Sequence, residues 1–371
     1  MRTYKHLKRR QENHLRLLCS LGLDWRVLMP DLFQALRTLV PFPQASFVCY
    51  NDRLQGLDGF SDWSFPNAED VQALLVSEYY QKDRMQELFL SGREIAKLPL
   101  ISRSEQWLRV GWHEYLAHEF YRCITQPSQM HHHLHLRLMN KDGIIGILTI
   151  NRPSSEAGFS KSEEDTLWRL IPFLTRAMEQ PVSEWRNNWV DVEQGLIVFE
   201  SAKVLYADGL APKLLDYALE RRQQTGRGWY IPPLNPLLQQ ILKTLAEKLP
   251  ARIDDDADAE PAIVRRCNRW GRFEFRARWL EAAAVGKSGI YAATIHRLAP
   301  LPLCFSIGLK NQPLSLRESQ VALALALGDS HAKIADKLNI SERTVIGHSQ
   351  HIYNKLKVAN RVELVAALIS G

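Results

Sequence analysis

The sequence predicts a multidomain α+β protein that closes on an all-α module of four helices, and three observations lead there. The chain has 371 residues, more than one ordinary core organises, so two or three domains are expected. Apolar residues make up 46% of it, which supports folded domains throughout. Strand-type alternation and a hairpin dominate the first 300 residues, whereas residues 314–371 carry helix start and stop signals in close succession. The expected domains span residues 1–180, 181–312 and 313–371.

In the first domain, Leu28, Leu32, Leu36 and Leu39 recur on one side of a helix from Trp25 to Leu39. Pro41 and Pro43 then break it before a strand from Ala45 to Tyr50. An aromatic segment follows, with Trp63, Tyr79, Tyr80, Trp107, Trp112, Tyr115, Phe120 and Tyr121. A hairpin is expected from His131–Met139, the turn Asn140-Lys141-Asp142-Gly143, and Ile144–Asn151. A helix capped by Ser160 and Glu163 ends the domain, with Leu167, Leu170, Ile171, Leu174, Ala177 and Met178 facing inward.

In the middle domain, residues 195–219 read as strand, turn, strand and a helix starting near Asp208. The stretch from Pro232 to Pro250 is expected to be helical, and the acidic cluster Asp254–Asp258 to be an exposed loop. Arg272–Leu280 alternates Phe273, Phe275 and Ala277 with charged residues, and Ile290–Leu298 is its expected hairpin partner.

The C-terminal module carries the sharpest signals. Ser315 and Glu318 form a capping box for a helix that runs to Leu327, and Gly328 supplies the positive φ of its stop. Ser330 caps a second, short helix that ends at Asn339. Ser341 caps a third, whose Thr344, Val345, His348, Ile352 and Leu356 follow a 3.6-residue period, and Asn360 and Glu363 start a fourth. Two short helices joined by a turn of three or four residues and followed by a longer one form the helix-turn-helix arrangement, whose last helix can enter a DNA major groove.

From Leu314 to Leu368 the chain resembles the LuxR-type (GerE-like) helix-turn-helix. The matching marks include Arg317-Glu318, Val321, Gly328-Asp329-Ser330, Ile334-Ala335, Leu338, Ile340-Ser341, Thr344-Val345, His348, Ile352, Lys355-Leu356, Val358 and Arg361. The resemblance implies a sequence-specific DNA-binding transcription regulator with double-stranded DNA as partner. It implies contacts from Ser330, Lys333, Ser341, Arg343, Thr344, Val345, Ile346, Gly347, His348, Gln350, His351 and Lys355. Two residues depart from the pattern. Ile346 stands where the family usually has lysine, and Gly347 follows it, so guanine readout should be weak. Gln350, one turn on, suits adenine, while Lys333, Arg343, Lys355 and Lys357 suit phosphates.

Residues 143–178, with the Arg152-Pro153 loop and the Phe159-Ser160 helix start, look like the end of a GAF-type sensor domain. That resemblance implies an antiparallel sheet flanked by helices that hold a small molecule, with Trp63, Tyr79, Tyr80, Trp107, Trp112 and Tyr115 as candidate ligand contacts. The structural alternative is that these aromatics are simply core. The middle domain resembles the opening of a PAS-type domain.

Charge and cysteine usage add bounds. A net charge of +6 is compatible with a polyanionic partner without identifying one. Five cysteines without CxxC spacing fit a reducing compartment. The basic N-terminus lacks the apolar run of a signal peptide, and no window reaches a membrane span. The expected location is cytoplasmic, without a membrane partner.

Other chemistry is not expected. His131, His133 and His135 share one strand face and His132 the other, but no acidic or cysteine partners complete a zinc site, so a solvated or pH-sensitive face is expected and no metal. Gly286-Lys287-Ser288 lacks the first glycine of a phosphate loop. Asp254, Asp256 and Asp258 lack the glycine and glutamate of a calcium loop. Neither a cofactor, a nucleophile constellation nor a receiver domain is visible, so an enzyme is not expected. The expected device is a population shift, in which a small effector or partner bound upstream changes whether a homodimer engages paired half-sites. RNA polymerase is a further candidate partner. The alternative is a ligand-binding or interaction protein whose helix-turn-helix no longer reads DNA specifically.

Overall fold

The computed structural model describes residues 2–50, 56–62, 65, 68–80, 82, 84–179, 189–219, 236–249, 261–268, 270–280 and 290–370. They form two compact units, one of residues 1–182 with 305–371 and the other of residues 183–304. The middle unit ends at Cys304.

The first unit opens with α1 (Arg2–Leu18) and α2 (Trp25–Leu39), the latter capped by Asp24, whose carboxylate accepts from the Arg26 N–H. Strands β1 (Gln44–Tyr50) and β2 (Gly56–Ser61) follow. A connecting segment holds α3 (Ala68–Leu74), α4 (Met85–Leu88), α5 (Gly92–Ile95), β3 (Ile101–Arg103) and α6 (Trp112–Ala117). The expected hairpin is β4 (His132–Asn140) and β5 (Gly143–Arg152), and α7 (Lys161–Met178) starts at the Ser160–Glu163 capping box. The strands make one antiparallel sheet in the order β2-β1-β5-β4-β3.

Alternation along β4 sorts the two faces of that sheet. Leu134, Leu136 and Leu138 are each 0% exposed on the side where α7 packs. His133 and His135 project to the opposite side, beneath the connecting segment. Arg152, at the end of β5, clamps the α7 start: its guanidinium donates to the Pro41 carbonyl at 2.7 and 2.9 Å and to Glu163 at 2.5 Å.

The middle unit holds β6 (Trp189–Glu200), β7 (Lys203–Ala207), α8 (Ala211–Ala218), α9 (Pro236–Lys248), β8 (Ala262–Asn268), β9 (Gly271–Leu280) and β10 (Ile290–Pro300). Its antiparallel sheet runs β7-β6-β10-β9-β8, the same order by position along the unit as in the first sheet. Phe199, Phe273, Phe275 and Ile295 form the core with Leu214, Leu215, Leu242 and Leu245 of the helices. Gly195 permits this packing, since a Cβ there would lie 2.6 Å from the Ala211 Cα. Asp208 starts α8 as expected, accepting from the N–H groups of Leu210 and Ala211. On β9, Glu274 is 5% exposed and gathers Arg265, Arg272 and Arg276 within 2.9 Å. Burial alone would raise its carboxyl pKa, but the guanidinium hydrogen bonds and charges outweigh that and hold it at about 2. Within the expected Pro232–Pro250 helix the described residues hold α9 from Pro236 to Lys248, and residues 232–235 lie outside them. The Asp254–Asp258 cluster and Gly286-Lys287-Ser288 lie outside the described residues.

After α10 (Leu301–Leu309) come α11 (Leu316–Leu327), α12 (His331–Leu338), α13 (Glu342–Leu356) and α14 (Arg361–Ser370). Gly328 and Asn339 adopt left-handed φ of 104° and 51° at the ends of α11 and α12. These are the stops that glycine and asparagine tolerate. No described helix is long and apolar enough to cross a membrane.

Candidate nucleic-acid interface and sensor cavity

Three helix starts in the C-terminal module are closed by serine. Ser315, Ser330 and Ser341 accept from the N–H groups of Glu318, Lys333 and Thr344 at 3.3, 3.2 and 3.1 Å. The helices close on Val321, Ala322, Ile334, Val345, Ile352 and Leu364, each 0% exposed. That packing leaves Arg343, Thr344, Ile346, Gln350 and His351 exposed along α13, with Gly347 and His348 half-buried. Arg343, Gln350 and His351 show no hydrogen bond or ion pair among the described residues, so their polar groups are available to a partner. Ser349 is buried, and its hydroxyl donates to the Val345 carbonyl at 2.9 Å.

Two expected contacts are corrected by this geometry. Val345 is enclosed in the domain core and holds α13 in place instead of reaching outward. Lys355 Nζ lies 2.7 and 2.8 Å from the two carboxylate oxygens of Glu318, a side chain only 7% exposed. Burial alone would raise the Glu318 carboxyl pKa, but hydrogen bonds from Lys355 and Ser315 and the Lys355 charge outweigh it and hold it below the ordinary value. Lys333 is exposed, yet it shares buried Asp329 with Lys337, each at 2.7 Å. The same balance keeps the Asp329 carboxyl low: desolvation opposes the charge, and the two lysines outweigh it. One carboxylate against two ammoniums leaves positive charge beside the start of α12. Ser330 and Ser341 act as caps, with exposed hydroxyl-bearing side chains.

Gly347 has nothing within 4 Å of the position a Cβ would take, so packing does not require glycine there. The surface beside Ile346 and Gln350 is therefore low, and the helix backbone lies open at that turn.

A second candidate site lies in the N-terminal domain, where the connecting segment covers the histidine face of β4. A cavity of about 630 Å³ opens there, lined among others by Tyr50, Phe89, Trp107, Tyr115, Phe120 and Met130. Of the six aromatics expected at a ligand, Trp107 and Tyr115 line it. Tyr79, 3% exposed, packs edge-on against Phe120 at 4.8 Å and belongs to the cover's core. Trp112 packs on Tyr115 at 5.5 Å outside the lining. Trp63 and the side chain of Tyr80 lie outside the described residues.

His133 and His135 also line the cavity, so the face expected to be solvated or pH-sensitive is covered rather than solvated. Burial pushes His133 down to about 4 and His135 well below the ordinary histidine value. The alternation of histidines with Leu134, Leu136 and Leu138 marks a second face, and whether that face meets solvent or a cover depends on which segment returns over it. The aromatics of residues 79–121 are that segment. His131 Nδ1 hydrogen-bonds Tyr121 Oη at 2.6 Å and is not among the described residues that line the cavity. Among the described residues no group of three His, Cys, Asp or Glu is placed to hold a metal ion.

The C-terminal geometry is that of a helix-turn-helix DNA-binding domain. Residues 312–368 match the family of bacterial regulatory proteins of the luxR type. LuxR-type helix-turn-helix domains bind DNA in transcription regulators, and the C-terminal domain is one of them. The transcriptional regulatory protein UhpA of Escherichia coli strain K12 is 40% identical over 62 residues, 17% of this chain and 32% of that protein. UhpA of Salmonella typhimurium matches to the same extent. The chain therefore spans about a third of the curated relatives it matches. Among solved structures, the cyanobacteriochrome TePixJ GAF domain is 15% identical with a TM-score of 0.29, over 44% of this chain and 92% of that one. The Vibrio cholerae VqmA dimer is 15% identical with a TM-score of 0.19, over 48% and 83%. Scores this low carry no argument about the upstream fold.

Proposed function

We propose that the chain is a sequence-specific transcription regulator whose DNA binding is controlled by a small molecule held in the N-terminal domain. The unpartnered polar face of α13, on a capped and closed helix-turn-helix, carries this reading. Gln350 is assigned to a base edge, because its amide pairs bidentately with adenine. Arg343 and Lys333 are assigned to phosphates, with Ser330, Ser341, Thr344, His348 and His351 flanking them. Ile346 and Gly347 face the groove as apolar and open positions. Lys355 is assigned to holding α13 on α11.

The N-terminal domain is read as a GAF-like sensor, supported by the sheet, its helical cover and the cavity between them. The middle domain is read as PAS-like, supported by its having the same strand order. A homodimer is proposed, since two-fold operators are matched by two-fold proteins. Val362 and Ile369 on α14 are 78% and 56% exposed and lie on one side of that helix, which supports α14 as a contributor.

Selection of bound sequences from a random duplex pool by the full chain, followed by mobility shift with competitor DNA, tests the proposal. An enriched motif bound at least tenfold better than random duplex is expected. Equal binding to enriched and random duplex would favour a module that no longer reads DNA.

A further inference from the structure

The cavity beneath the cover is large enough for a two- or three-ring molecule, as ligand sites span roughly 300–1,000 Å³. Among the described residues its lining contains no Asp, Glu, Lys or Arg. A charged ligand seated there would give up part of its hydration with no counter-charge among the described lining residues to replace it. The polar groups that remain among the described residues are neutral ones, and two that lie next to each other have unused capacity. His133 Nε2 lies 3.0 Å from the Met130 carbonyl, which only accepts, so the neutral ring carries its proton there and Nδ1 is a bare acceptor. Beside it, Ser104 Oγ accepts from the His133 backbone N–H at 2.9 Å, leaving its own O–H to donate. The walls add flat partners: Trp107 stacks on His135 with ring centres 4.0 Å apart and planes 28° apart, and Phe89 and Phe120 stand edge to face at 5.3 Å.

We infer that this cavity binds an uncharged, planar ligand that presents an N–H and a C=O side by side, the edge of a lactam or cyclic amide. The ligand's N–H meets His133 Nδ1 and its carbonyl meets the Ser104 hydroxyl, while the ring lies against the aromatic walls. A cyclic amide satisfies both neutral groups without bringing charge. This assignment rests on the reading of the N-terminal domain as the effector site and gives the effector its chemistry.

The test uses the full chain at pH 7.5 and four bicyclic probes of near-equal size: quinolin-2-one, its N-methyl derivative, quinoline-2-carboxylate and N-methylquinolinium. Affinities are read by saturation-transfer NMR titration. Quinolin-2-one is expected to bind, the N-methyl compound at least tenfold more weakly, and the two ions not measurably. His133→Phe keeps a flat ring and removes the acceptor, so it should abolish the preference for quinolin-2-one over its N-methyl derivative. Ser104→Ala should weaken both neutral probes. Ile95→Trp, which fills the cavity from α5, should remove all binding; circular dichroism confirms that each variant folds. Either ion binding as tightly as quinolin-2-one, equal binding of the two neutral probes, or no probe binding at its solubility limit would overturn the inference. Mobility shift on the selected duplex, with and without quinolin-2-one, separates the two claims. Probe binding in the expected order with unchanged DNA affinity leaves the cavity assignment standing and removes effector control of DNA binding.

Discussion

Replacing Lys355 by alanine should loosen the DNA-binding domain by stranding the Glu318 charge, not by removing a phosphate contact. The Glu318 carboxylate is 7% exposed and the Lys355 side chain 43%. Breaking a fully buried pair costs about 3–5 kcal/mol because a charge is stranded, whereas an exposed pair contributes about 0–1 kcal/mol. This pair lies between those limits. Glu318 also keeps the Ser315 N–H at 2.7 Å, which relieves part of the stranded charge, so a loss of about 1–3 kcal/mol is expected. Local opening of α11 and α13 then becomes about 5- to 150-fold more frequent. Hydrogen-exchange mass spectrometry of the full chain reads that factor on peptides from residues 316–327 and 342–356. Pairing the change with Glu318→Leu should recover part of the loss, since no charge is then left buried. Unchanged exchange in Lys355→Ala, together with a DNA salt dependence reduced by about one unit, would refute the structural role and return Lys355 to the phosphates.

Two glycines give opposite signs. At Gly308 a Cβ would lie 2.1 Å from the Leu368 carbonyl, so Gly308→Ala should destabilise the α10–α14 packing by at least about 1–3 kcal/mol. Gly347→Ala meets open space and should stabilise α13 by about 0.5–1 kcal/mol; urea titrations of the two variants against the parent decide both. On DNA, Gln350→Ala should cost about 1–3 kcal/mol on the selected sequence and little on random duplex. Arg343→Ala should weaken both alike and reduce the salt slope by about 0.9. Acid should act earlier than carboxylate titration alone. His14 and His133 are held near 4 by burial, with Lys310 adding to the effect at His14. Above the unfolded value of about 6.5 both states are neutral, and below it only the unfolded chain takes the proton. Stability therefore falls between pH 6.5 and 4, by about 3 kcal/mol per histidine at the lower end. His133→Phe should flatten the His133 share of that loss in denaturation curves across the range, and an unaltered pH profile would reject it.

The parts of the fold readable from sequence are those whose cause is local. Ser160, Ser315, Ser330 and Ser341 cap helices through atoms three residues away, and Gly328 and Asn339 stop them through their own φ, so no distant neighbour needs to be known. The β4–β5 hairpin likewise follows from its turn. What stayed hidden depends on tertiary return. Nothing adjacent to Lys355 in sequence shows that Glu318, 37 residues earlier, has been buried beneath it. Surface lysines on a helix-turn-helix invite a phosphate reading by default. The histidines of β4 posed the same difficulty, since their alternation marked a face and only the cover above it decides between solvent and cavity. Val345 was miscast for a related reason: adjacency in sequence to Thr344 and Ile346 says nothing about direction on a helix, where consecutive side chains point about 100° apart.

The ion pairs also bear on how regulation would operate. Lys333 and Lys337 share Asp329, and Lys355 is held by Glu318, so much of the module's cationic surface is internally balanced. Arg317, Arg343, Lys357 and Arg361 are exposed and show no ion pair among the described residues. A single module is expected to have the ordinary weak non-specific affinity, for which typical dissociation constants lie at about 10⁻⁴–10⁻⁶ M. Two linked modules on paired half-sites gain from effective concentration, which raises affinity by 10²–10⁴ when the geometry allows both to engage and adds nothing when it does not. In the proposed dimer, a ligand that changes the spacing of the two modules therefore controls occupancy over that whole range without touching the recognition helix. The weak unit affinity is what makes such control effective, because a module that bound tightly alone would stay on DNA in either state.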